Sequence, residues 1–68
     1  MKVLLLEANE LRAGDWFRIP AWPGDRLVKV RVVRRSWHHG FAEWVTLVRF
    51  DGGGSVRMSR TLRVEVHR

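Results

Sequence analysis

The chain has 68 residues, 46% of them hydrophobic, with four Trp, three Phe and no Cys. That length allows one domain, and the lack of thiols excludes both disulfides and cysteine-based zinc sites, so a compact apolar core has to carry stability. Thirteen basic residues against seven acidic ones leave a net charge of +6, which directs attention to polyanions or acidic proteins as partners.

Residues 1–8 open with the apolar run Val3-Leu4-Leu5-Leu6, ended by Glu7. It is shorter than the roughly 7–15 apolar residues of a signal-peptide core and the about 20 of a membrane span, so a soluble, cytoplasmic protein without membrane association is expected. The segment reads either as a first strand or as an arm whose residues 3–6 pair with a neighbouring chain to form a homo-oligomer. Trp16 to Ile19 predicts the next strand, ended by Pro20. Pro20-Ala21-Trp22-Pro23-Gly24-Asp25 predicts a stiffened loop, with Pro23-Gly24 suited to a type II turn.

Leu27 to Trp37 carries the clearest pattern. Val28, Val30 and Val32 alternate with Lys29 and Arg31, the period of a strand with one buried and one wet face. The phase changes at Val33, after which Val33, Arg35 and Trp37 share a face, as a β-bulge or sharp bend produces. Glu43 to Phe50 sets Trp44, Thr46, Val48 and Phe50 on one face and Val45, Leu47 and Arg49 on the other. Apolar residues on both faces predict a central strand.

Asp51-Gly52-Gly53-Gly54 lies between two predicted strands and reads as a hairpin turn, since glycine-rich phosphate cradles open a helix. Val56 to Arg60 follows, and Ser59 to Leu62 reads as a short 3₁₀ turn. In the closing strand Leu62, Val64 and Val66 point inward, and Arg63, Glu65 and His67 outward. No segment holds a helical period. Short strands with frequent turns predict an all-β fold, a small barrel or sandwich.

The segment Leu11-Arg12-Ala13-Gly14-Asp15-Trp16-Phe17 resembles the Leu-x-x-Gly-Asp-x-hydrophobic entry of small SH3-like barrels, including KOW- and Tudor-like modules. Phe50-Asp51-Gly52 resembles their strand–Asp-Gly–strand hairpin. The resemblance spans most of residues 11–67 and implies an SH3-like barrel of about five short antiparallel strands with a 3₁₀ turn before the last. Barrels of this kind bind DNA, RNA, proline-rich peptides or methylated lysines, so the fold leaves the ligand open. With no Tyr in the chain, a Tudor-type aromatic cage would consist of Trp and Phe alone.

The candidate nucleic-acid-binding residues are Lys29, Arg31, Arg34, Arg35, Arg49, Arg57 and Arg60, with Trp37 as a stacking residue. Guanidinium groups present planar donor forks to phosphate oxygens and base edges, and Trp stacks on unpaired bases. Trp16 and Trp44 sit at strand positions and are expected in the core. Glu43 and Glu65 are expected to neutralise some Arg residues across strands. DNA is expected over RNA, with weak sequence preference. The alternative is docking on an acidic protein through Trp22, Trp37 and Phe41. Adjacent His38 and His39 point apart on a strand and do not share a metal. No cofactor is indicated, and Ser36, Ser55 and Ser59 have no catalytic partners in evident spacing, so a non-catalytic binding module is expected.

Overall fold

The computed structural model describes residues 1–19 and 26–68. The predicted loop at Pro20 to Asp25, and with it Trp22, lies outside the described residues. Six antiparallel strands follow one another as β1 (Val3–Glu7), β2 (Trp16–Arg18), β3 (Leu27–His38), β4 (Glu43–Phe50), β5 (Ser55–Ser59) and β6 (Arg63–His67). They form one sheet in the order β1-β6-β2-β3-β4-β5, curled like a barrel and left open, with β1 and β5 at its edges.

Residues 1–8 supply a strand rather than a detached arm. β1 pairs with β6 of the same chain, Val3 opposite His67 through Glu7 opposite Arg63. The only 3₁₀ helix among the described residues, Ala8–Glu10, follows β1. The connection expected to be 3₁₀, between β5 and β6, is a single turn closed by the Leu62 N–H donating to the Ser59 carbonyl at 3.1 Å. Leu62 is exposed there, and only Val64 and Val66 of the closing strand reach the core.

β3 bends where its alternation slips. Its register on β4 shifts between Val30 and Val32, so Val30 faces the core before the bulge and Val33, opposite Val48, faces it afterwards. The strand also changes partners at this point: Leu27 to Lys29 pair with β2, and the rest pairs with β4. A bulge inserts one unpaired residue and sharpens the local twist, and here it lets one strand serve both halves of the sheet. The core between those halves contains Phe17, Val28, Val30, Val48, Phe50, Met58, Val64 and Val66, closed at one end by Ala8 and Leu11.

The turn into β2 is held by Asp15. Gly14 has φ +93°, a conformation glycine adopts without steric cost. The Asp15 carboxylate accepts the Arg12 backbone N–H at 2.9 Å. It also accepts Arg68 Nε and Nη2, each at 2.9 Å. Arg68 exchanges backbone hydrogen bonds with Lys2 at 2.8 Å, so the same carboxylate fastens the far end of the β1–β6 pair. Arg68 donation and the Arg12 N–H hold the Asp15 carboxyl below its usual pKa against the opposing effect of burial, and Asp15 in turn raises Arg68.

Candidate functional site

Side chains directly opposite in an antiparallel pair share a face, so register sorts the cations. Across β3, β4 and β5 one row is Arg34–Leu47–Arg57 and the next is Val32–Arg49–Ser55. Strand spacing of about 4.8 Å sets Arg34 and Arg57 about 10 Å apart at the backbone. Ser36–Val45–Ser59 continues that face, and the one carboxylate of these rows among the described residues is Glu43, opposite His38 at the hairpin tip, while Asp51 lies in the turn after β4. Arg31 stands at the bulge and lines a small cleft of about 170 Å³ with Arg49, Gly53, Gly54 and Ser55. Arg31, Arg34, Arg49 and Arg57 are exposed, and none takes part in an ion pair among the described residues.

The other expected basic residues lie elsewhere. Arg35 is on the opposite face of β3, in the row Arg35–Thr46–Met58. Arg34, Arg35 and Arg60 line an open cleft of about 310 Å³ together with Asn9, Val33 and Thr46. Lys29 belongs to the β2–β3 half, where its ammonium lies 6.0 Å from the Trp16 ring centre. The eight candidates therefore divide among three surfaces.

Trp44 corrects the expectation of a core residue. It occupies the core-facing side of β4 yet is 45% exposed, beside Trp37 at 42%. The reason is strand length: β3 has 12 residues and β4 eight, but β5 only five. β5 ends with Ser59 opposite Val45, so the hairpin carries its core-side residues beyond the core. Trp37 and Trp44 meet edge to face with ring centres 5.4 Å apart, and the Arg35 guanidinium sits 5.1 Å from the Trp44 ring centre. Trp16, also expected inside, is 38% exposed on the outer side of the β1-β6-β2 half.

Trp37 and Phe41 form no common patch. Phe41 stacks on His38 with ring centres 4.6 Å apart, and its N–H donates to His38 Nδ1 at 3.2 Å. His38 and Trp37 are neighbours on a strand and point to opposite sides. Of the two carboxylates expected to offset Arg residues, Glu65 accepts Arg18 Nε at 3.2 Å and lies 2.7 Å from His67 Nε2. His67 first and Arg18 second hold its carboxyl below the usual value. Glu43 makes no ion pair among the described residues. No group of three or more His, Asp or Glu among the described residues is arranged to hold a metal ion, and no helix there is long and apolar enough to cross a membrane.

Fold and surface together define a small, open antiparallel β-protein with an arginine face on one side of its protruding hairpin sheet and a Trp pair on the other. Compared with protein-family models, curated proteins and solved structures, the chain matches none.

Proposed function

We propose that the chain is a non-catalytic nucleic-acid-binding module of SH3-like form, with DNA preferred over RNA and little sequence preference. The SH3-like reading is supported by the Gly14-Asp15 turn into β2, the bent β3 shared by both halves, and the tight β4–β5 hairpin. The observation that carries the functional reading is the row Arg34–Leu47–Arg57 with Arg49 beside it, in paired strand rows that among the described residues hold one carboxylate on that face, Glu43 at the far tip. Uncompensated guanidiniums on an open face suit a phosphate backbone, and with no α-helix among the described residues affinity falls to phosphate contacts.

Four guanidiniums, those of Arg31, Arg34, Arg49 and Arg57, engaging about four phosphates give a log K against log salt slope near −3.6 on duplex DNA. Anisotropy titrations of labelled duplex DNA, single-stranded DNA and RNA over a salt series test this. Arg34→Ala with Arg57→Ala should reduce the duplex slope to about −1.8. An unchanged slope in the double variant would refute the choice of face.

A second reading, docking on an acidic protein, is favoured by the exposed pair Trp37 and Trp44 with Arg35 over the ring, since Trp and Arg dominate interface hot spots. Phe41 stacks on His38 instead of joining that pair, and Trp22 lies outside the described residues. Failure of all three nucleic acids to bind at low salt would put this reading first.

A further inference from the structure

The outer edge of β1 is a row of backbone donors and acceptors that no described strand covers. Ladder partners alternate along an antiparallel pair. Lys2 exchanges bonds with Arg68, and the Ala8 N–H donates to Leu62, so even-numbered residues of β1 direct their backbone groups toward β6. The N–H and C=O groups of Val3 and Leu5 and the C=O of Glu7 therefore point away from the sheet, while the outward Glu7 N–H donates to Glu10 Oε1 at 3.0 Å. Among the described residues no strand lies beyond β1. Val3 and Leu5 are also 61% and 63% exposed.

Proteins shield open edges with charge, proline, bulges or a covering element. Val3 to Leu6 has no charged residue and no proline, and it pairs with β6 without a register shift. The opposite edge, β5, differs: self-pairing centred on that strand would set Arg57 against Arg57.

We propose that the outer edge of β1 pairs with the same edge of a second copy of this chain, antiparallel about a two-fold axis at Leu5. This register sets Leu5 opposite Leu5, Val3 opposite Glu7 and Leu4 opposite Leu6. It is the two-fold register that sets all three outward-directed residues of each copy opposite one another, the Glu7 N–H exchanging Glu10 Oε1 for a Val3 carbonyl, and a shift of two residues leaves one residue per copy unpaired. No like charges face each other, because Glu7 meets Val3 and Lys2 meets Ala8. Leu5 and Val3 are covered on one side of the joint sheet. The interface is isologous, so it closes at two copies. It stands on the edge geometry alone and is independent of the nucleic-acid reading.

The test exploits the absence of cysteine. Across the axis, hydrogen-bonded partners have Cα atoms about 5.5 Å apart, within the roughly 4.4–6.8 Å a disulfide spans. Leu5→Cys should therefore oxidise to a covalent dimer. Val3→Cys, four residues out of register with its own copy and thus about 13 Å away, should remain monomeric on a non-reducing gel. Sedimentation of the unmodified protein from micromolar to millimolar concentration should show the 8.0 kDa chain doubling in mass. Leu5→Lys, at an exposed position, should keep its circular dichroism and lose the dimer. A mass of one chain throughout, equal cross-linking at positions 3 and 5, or a Leu5→Lys protein that still dimerises would each overturn the proposal.

Discussion

Replacing Asp15 by Asn tests whether one carboxylate fastens both ends of the molecule. Its oxygens accept two hydrogen bonds from Arg68 and one from the Arg12 N–H, all at 2.9 Å, with the Asp15 side chain 5% exposed. Asn keeps the shape but offers one acceptor oxygen and no charge, so a charge-assisted pair is lost and an NH₂ group is turned toward a guanidinium. Hydrogen bonds to charged groups contribute about 1.5–3 kcal/mol, and we take about 2 kcal/mol for the substitution. A domain of this length has roughly 3–10 kcal/mol in all, and each kcal/mol moves its melting temperature by about 4–8 °C. Asp15→Asn should therefore stay folded at room temperature and melt about 8–16 °C lower at neutral pH.

The pH dependence gives a second, independent check. The folded Asp15 carboxyl titrates below its unfolded value, so its stabilisation is fully present above the unfolded value of about 3.9 and disappears as pH falls through the folded one. Asn does not titrate. The gap between the two proteins should be widest near neutrality and narrow steadily in acid, as read by thermal melts followed by circular dichroism. A loss below about 2 °C at neutral pH, or a gap that stays constant into acid, would refute the assignment of Asp15 as a fastening residue.

Three other outcomes follow from packing. Gly54 lies against the Phe50 ring so closely that an added Cβ would overlap it, and Phe50 is itself buried; Gly54→Ala should cost about 1–3 kcal/mol, visible as a lower urea midpoint at unchanged slope. Phe17 is fully buried at the junction of β2 with β3 and β6. Phe17→Ala should cost about 3–5 kcal/mol, enough to leave much of the population unfolded by amide hydrogen exchange. Trp44→Ala removes a half-exposed ring and should cost less than about 1.5 kcal/mol, while changing the near-ultraviolet dichroism contributed by the Trp37–Trp44 pair; a loss as large as that of Phe17→Ala would mean that Trp44 belongs to the core.

The sequence determined by itself whatever depends on neighbours along the chain. The strand alternation, the turn at Gly14-Asp15, the hairpin at Asp51 to Gly54 and even the slip of phase before Val33 are local. Two-residue periodicity and glycine conformations are set within a few residues, so they can be read without knowing what packs where. Exposure of Lys29 and Arg31, and the cation-rich character of β3, were legible for the same reason.

Only the tertiary structure decided where each strand stops relative to its neighbours and which cations share a face. Trp44 has the alternation of a core residue and loses its cover because β5 ends early, a fact about a strand that begins more than ten residues later. Arg34 and Arg35 are adjacent in sequence and stand on opposite faces, while Arg34 and Arg57 join one row through β4. The same holds for residues 1–8, which read equally as strand or arm until β6 takes one edge of β1 and leaves the other open. Pairing between distant strands is selected by burial of the whole sheet and not by local preference, and a site on such a sheet is therefore assembled by the fold.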